Sequence, residues 1–331
     1  MKGLITLDEL RHEVQAGTID TVLACQVDMQ CRLMGKRFQA EFFVESAWEE
    51  THSCNYLLAT DMEMETVEGY RATSWASGYG DYAMVPDLAT LRRIPWLEGT
   101  AMVLCDVLDH HTHEDVPHSP RAILKRQVAR LAEAGMTANM ASELEFFLFH
   151  NSFEDMREQG YRGMNVISPY NEDYHIFQTT KEEGVMRAIR NGLNGAGIPV
   201  ECSKGEACAG QEEINVVYAD ALTSADRHVI VKQGCKEIAW QQGKSLTFLA
   251  KWDTAQAGSS SHIHQSLWST DGSTPLFHDA GQEHGMSQTM RHYLAGLLTY
   301  ASDVTCFLAP YVNSYKRFQA GTFAPTKAIW S

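Results

Sequence analysis

The stretch ASELEFFLFH, residues 141–150, sets two carboxylates, Glu143 and Glu145, inside an apolar, β-forming run. Side chains alternate across a strand, so both glutamates project from one face while Leu144, Phe146 and Leu148 project from the other. An ionised carboxylate is costly to bury unless something compensates it. No Lys or Arg stands close by in sequence, which suggests a cation between the two; hard ions such as Mg2+ and Mn2+ prefer oxygen ligands. The bland alternative is an edge strand with solvated glutamates.

Three further segments carry residues of matching chemistry. VECSKGEACAGQEEINVVY, residues 200–218, holds Glu201, Glu206, Glu212 and Glu213 around two glycines that would let the backbone turn closely about a ligand. AGSSSHIHQSLW, residues 257–268, puts His262, His264 and Ser266 on one strand face behind a loop of small residues. NSYKRFQAGTFAPT, residues 313–326, places Lys316 and Arg317 between aromatics. A guanidinium there offers a planar fork to a carboxylate or phosphate. Taken singly, the second segment also reads as a solvated acidic hairpin and the fourth as an ordinary basic loop.

The elements that would position these residues follow from periodicity and turn signals. The first hundred residues are strand-rich, with strands expected at 21–27, 38–44, 56–60 and 81–85 after an amphipathic N-terminal helix. A polar segment with two prolines at 110–121 predicts a boundary, giving domains of 1–112 and 113–331. Ser119 and Pro120 then open a helix that Gly135 closes. Further helices are expected near 180–197, 224–242 and 287–301. Strands are expected at 142–150, 199–202, 213–218, 246–249 and 262–268. These strands carry polar residues in step, which points to a sheet with one face lining a polar cavity.

Composition narrows the class. The 331 residues suffice for about two domains, and 44% are hydrophobic, enough for a sizeable core. A formal charge of −15 argues against nucleic acid or an anionic membrane as partner. Eight scattered cysteines without a C-x-x-C pair read as reduced thiols of a cytoplasmic protein. The N-terminus lacks the apolar core of a signal peptide, and no apolar run approaches the length of a membrane span.

In order along the whole chain, E-x-E-F-F-L-F from Glu143, G-E-x-x-x-G-Q-x-E from Gly205, H-x-H-x-S from His262 and N-S-Y-K-R from Asn313 resemble the glutamine synthetase family of ATP-dependent glutamate–amine ligases. The resemblance implies an α+β protein: a β-grasp-like N-terminal domain and a catalytic α/β domain whose largely antiparallel sheet lines the active site. It implies ring-shaped homo-oligomers, such as dodecamers, with Asp61 reaching into a neighbouring subunit's site as a catalytic residue. Glu145, Glu206 and Glu213 are similar to the ligands of one Mg2+ or Mn2+, and Glu143 and His262 to ligands of a second. Glu201, His264 and Ser266 resemble ATP-side residues. Gly258 and Arg317 resemble those that hold glutamate and the transferring phosphate, Arg317 also as a catalytic group. The implied chemistry is formation of γ-glutamyl phosphate from glutamate and ATP, then displacement of phosphate by an amine.

Departures from the family pattern refine this expectation. The flap G-Y-E-A-P is Gly321-Thr322-Phe323-Ala324-Pro325 here, so the carboxylate that handles ammonium is replaced by Phe323. The N-G before the histidine motif is Ala257-Gly258. Both changes resemble the γ-glutamyl-amide branch, which uses larger amines; a true glutamine synthetase using ammonia is the alternative. Family members continue past TKAIWS into an arginine-rich segment and a further metal-binding glutamate. The sequence therefore also reads as a C-terminally truncated chain, with an inactive homologue or assembly subunit as the non-enzymatic alternative.

Overall fold

The computed structural model describes residues 3–330. Ser331, the residue at which the shortened catalytic domain was expected to stop, lies outside the described residues. The chain gathers into two compact units. One comprises the chain up to Arg130 together with Asn191–Pro199 and Ala225–Gly234; the other comprises Leu131–Arg190, Val200–Ser224 and the chain from Cys235 onward.

In the first unit the helix Leu7–Gln15 opens with a capping box. The Thr6 side chain accepts from the backbone N–H of Glu9, and the Glu9 carboxylate accepts from that of Thr6. Its Leu10 is fully buried against a sheet core of Val22, Ala24, Met84, Leu91 and Val103. The sheet runs Leu33–Gln39, Thr21–Val27, Thr100–Asp109, Asp81–Pro86, Thr51–Cys54, and Arg92–Arg93 also pairs with Thr100–Asp109. Thr21–Val27 lies parallel to Thr100–Asp109, with Thr21 opposite Thr100; the other pairs are antiparallel.

Two strand expectations fail here. Residues 38–44 do not continue as a strand. The strand ends at Gln39, and the chain enters a helical turn Ala40–Phe42 and a π-helical turn Phe43–Ala47. Ala40, Phe43 and Ala47 recur at helical spacing and are all but completely buried, so burial of that stripe outweighs the β propensity of Phe-Phe-Val. Residues 56–60 fall in the 3-10 turn Asn55–Leu58 and its exit, and the strand lies just before them at Thr51–Cys54. The central strand Thr100–Asp109 was not anticipated; its nearly unbroken apolar run is what burial on both faces requires.

Arg121 organises the charge of this unit. It is 6% exposed, forks onto both oxygens of Asp226 at 3.0 Å, and reaches Asp87 at 2.6 Å and Asp106 at 2.5 Å. Removing the guanidinium strands a buried Asp226 among other carboxylates. Arg121→Ala is expected to destabilise the chain by about 3–5 kcal/mol, read by denaturant unfolding. A loss under about 1 kcal/mol would contradict the reading. His228 provides a pH test. Burial pulls its imidazole from 6.5 down to about 4, so below 6.5 the unfolded chain takes up a proton that the folded one refuses. Its contribution is complete above pH 6.5 and is lost as pH falls towards 4, by up to about 3 kcal/mol. The melting temperature of His228→Gln should fall less steeply than the parent's over that window.

The second unit is built on one long strand, Met136–Phe149. Ser261–Ser269, Gln211–Val216, Ser245–Thr247 and Ala219–Asp220 all pair with it, and Val200–Gly205 pairs with Gln211–Val216, every pair antiparallel. This excludes the solvated edge strand. Phe146, Phe147, Leu148 and Phe149 are buried to 1% exposure or less. Trp252 covers Phe147 and Phe149 at centroid distances of 5.5 and 5.1 Å. The apolar end of the strand thus anchors it, and the polar face begins at Glu145.

Candidate active site

Register brings the sequence motifs together. Glu143 lies opposite His262 on one neighbour and Asn215 on the other, while Glu145 lies opposite Glu213. Residues directly opposite in an antiparallel pair share a face, so all five groups project to the same side. Glu206 follows the end of the next strand, where Lys204 stands opposite Glu213. Ligand atoms of Glu145, Glu206 and Glu213 lie within 4.8 Å of one another, as do those of Glu143, Glu213 and His262.

Polar neighbours meet part of the cost of the two glutamates. His264 Nε2 stands 3.0 Å from one Glu143 oxygen and His262 Nδ1 3.2 Å from the other, and Asn215 donates to the first at 3.4 Å. Glu145 is 8% exposed; it accepts from the Ser260 backbone N–H at 2.8 Å, from the Ser260 hydroxyl, and from Gln211 Nε2 at 3.1 Å. Burial and the neighbouring Glu206 push Glu213 up to about 7. Burial works against the Lys204 ammonium, but bonding to Glu206 and the charge of Glu213, 4.0 Å away, hold it above the ordinary lysine range. Lys204 supplies a positive charge that the strand's own sequence neighbourhood lacks.

The loop before the histidines and the helix Val312–Arg317 form the flank of this face. Asn313 accepts from the Lys251 N–H at 2.9 Å and donates to the Lys251 carbonyl at 2.7 Å, fixing the helix to the loop. Arg317 then lies across Gly258. A Cβ added at Gly258 would stand 2.3 Å from the Ala250 carbonyl oxygen and 2.8 Å from Arg317 Cγ, so glycine is required for this approach. Burial lowers the Arg317 pKa, opposed by the charge of Glu145, and its Nε is buried without a hydrogen-bond acceptor. Gln211 joins the two halves by donating to both Glu145 and the Gly258 carbonyl, each at 3.1 Å.

The other expected residues are not drawn into these ligand sets. Ser266 accepts from Trp268 Nε1 at 2.9 Å. Glu201 is exposed and falls at a bulge, where Val200 and Cys202 pair with Val216 and Asn215 and leave it unpaired. Phe323 is 85% exposed at a positive φ of 56°, strained for a bulky residue. Asp61 belongs to the first unit, in a turn where its carboxylate accepts from the N–H groups of Glu63 and Glu65 at 2.9 and 3.0 Å. Gln211, Ser260 and Lys204 were not singled out from sequence. Gln211 stood inside the G-Q-x-E motif, and strand alternation from Glu213 already placed Asn215 on this face.

Residues 117–331 match the profile described as glutamine synthetase, catalytic domain. The chain is 48% identical over 325 residues to the γ-glutamylethanolamide synthetase GlnA4 of Streptomyces coelicolor, covering 98% of this chain and 69% of the relative. It is 34% identical over 323 residues to a glutamate–isopropylamine ligase of a Pseudomonas species, covering 97% and 70%. Its fold superposes on a solved structure of apo GmaS with a TM-score of 0.79 at 26% identity, over 93% of this chain and 68% of that one. The fold is that of a glutamine synthetase catalytic domain. The chain belongs to the glutamine synthetase family.

Proposed function

We propose that this chain is an ATP-dependent ligase that joins the γ-carboxylate of glutamate to a small amine through γ-glutamyl phosphate, releasing ADP and phosphate. The observation that carries the reading is the pair of overlapping ligand sets on one sheet face, Glu145–Glu206–Glu213 and Glu143–Glu213–His262. The relatives' names favour an amine over ammonia, one being named for γ-glutamylethanolamide and another for isopropylamine. Phe323 agrees, because a flap without a carboxylate has nothing with which to bind or deprotonate ammonium.

Carboxylate oxygens and an imidazole at this spacing fit Mg2+ or Mn2+. Such ions would supply charge screening and polarisation for phosphoryl transfer between two anions. In this reading Glu145, Glu206 and Glu213 hold one ion, and Glu143 and His262 hold a second. Glu201, His264 and Ser266 face the nucleotide. Gly258 lets Arg317 lie close across the loop that holds glutamate, and Arg317 draws the γ-carboxylate and the transferring phosphoryl group together. The guanidinium is partly withdrawn from water, which strengthens its pull on both anions.

The reading extends to the rest of the molecule. A mixed sheet with one parallel pair and a helix packed on it supports a β-grasp-like first domain ending near residue 112. Assembly into a ring, with Asp61 serving a neighbouring copy, is supported by exposed apolar residues such as Phe307 at 81% and Leu308 at 78%. A cytoplasmic setting agrees with eight free cysteines; no helix among the described residues is long and apolar enough to cross a membrane.

The test is phosphate release from ATP with glutamate and a panel of amines. Turnover should require both glutamate and an alkyl or hydroxyalkyl amine, and equal or faster turnover with ammonia at low concentration would overturn the amine assignment. Phe323→Glu should raise kcat/KM for ammonia by about tenfold or more, the scale of one positioned acid–base group. No gain would remove Phe323 from the account of specificity.

A further inference from the structure

The sheet's opposite face carries a second carboxylate group that the ligase reading does not use. Alternation along Gln211–Val216 sends Glu212 away from Glu213, to the side on which its cross-strand partner Phe146 lies. There Glu212 meets Glu172 and Glu182, with one oxygen of each within 4.8 Å of the others. Their exposures are 1%, 0% and 3%. Gly205 lets Glu172 press onto the sheet, since a Cβ there would lie 2.5 Å from the Glu172 carbonyl oxygen.

These carboxylates crowd one another and the Ser168 hydroxyl. Both oxygens of Glu172, both of Glu182 and Oε1 of Glu212 are buried without a hydrogen bond. Arg190 and Lys181 ease the charge of the group only through space, each being bonded to other residues. Arg190 pairs with Glu183 at 2.5 Å and donates to Ser203 at 2.8 Å, and Lys181 bonds to Gln178. Fully buried glutamates are rare unless paired or bound to metal. By contrast, Glu145 on the other face has three donors.

We propose that Glu172, Glu182 and Glu212 form a buried site for a hard divalent cation of the Mg2+, Mn2+ or Ca2+ class, behind the candidate active site and separate from it. Three carboxylate oxygens within 4.8 Å of one another suit an ion with metal–oxygen bonds of about 2.0–2.6 Å, around which opposite ligands stand about 4–5 Å apart. The buried Ser168 hydroxyl next to Glu172 is a further oxygen donor. An ion here would tie the loop carrying Glu172 and the start of the helix after Glu182 to the strand that carries Glu213. Its role is structural, and it stands or falls independently of the ligase reading.

The direct test is anomalous scattering from crystals of the full chain equilibrated with Mn2+. A peak among the three carboxylates is expected; its absence at saturating Mn2+, whatever occupies the Glu143–Glu145 face, would overturn the proposal. In solution, Glu172→Gln/Glu182→Gln should bind one Mn2+ fewer per chain than the parent in an electron paramagnetic resonance titration. An unchanged count, with a melting temperature raised by relief of carboxylate repulsion, would mean that the three groups only share protons.

Discussion

Glu145→Ala is expected to lower Mn2+ affinity at the sheet face by about 100-fold or more and to reduce ligase turnover at least as far. Glu145 takes part in one of the two ligand sets, and its two oxygens also hold Ser260 and Gln211 in place. Truncation leaves the buried Gln211 amide and the Ser260 N–H short of an acceptor, which adds a stability loss of about 1–3 kcal/mol. Glu145→Gln separates the two effects: it keeps an acceptor oxygen for Ser260 but gives up the charge. It should therefore lose metal affinity with a smaller fall in melting temperature. Mn2+ titration and calorimetric melting of both variants check this. Undiminished Mn2+ binding in both would show that this face is not a metal site.

Gly258→Ala is expected to cost about 100-fold in kcat/KM, chiefly through the glutamate KM. The added methyl meets the Ala250 carbonyl at 2.3 Å, and that carbonyl cannot simply swing away. It accepts from the Ser259 N–H at 3.1 Å, and the adjoining Lys251 backbone is held on both sides by Asn313. Relief must come from lifting Arg317 or from opening the loop, and either moves the guanidinium off the sheet face. Overpacking of this kind also costs about 1–3 kcal/mol of stability. Steady-state kinetics with glutamate and ATP varied separately provide the check. A parent-like KM for glutamate would mean that Gly258 does not position the substrate.

Strand periodicity made much of the second unit legible. Glu143 and Glu145, and His262 and His264, each needed only the alternation rule to be placed on a common face, and four motifs in order supplied the family. What alternation could not give was register. Nothing local shows that His262 lies opposite Glu143, or that Lys204 arrives opposite Glu213 from a strand that does not touch Glu145's own. The donors to Glu145 were hidden for the same reason, since Ser260 and Gln211 lie 115 and 66 residues away. In the first unit, β-branched and aromatic residues over 38–44 outvoted a helical stripe of Ala40, Phe43 and Ala47 that only burial makes decisive. The strand Thr100–Asp109 escaped because a continuous apolar run carries no period. Glu212 was visible as one of four acidic residues, but its burial beneath the sheet follows from pairing with Phe146.

On the proposed route this chain activates the γ-carboxylate of glutamate by phosphorylation before an amine attacks. Glutamate labelled with 18O in the γ-carboxylate, incubated with the chain, ATP, Mg2+ and ethanolamine, tests it in one measurement. Attack of the carboxylate oxygen on the γ-phosphorus and later departure of phosphate carry one labelled oxygen from each glutamate consumed into the released phosphate. Mass spectrometry should find that single 18O in step with amide formation. Amide formed with unlabelled phosphate would contradict an acyl-phosphate route.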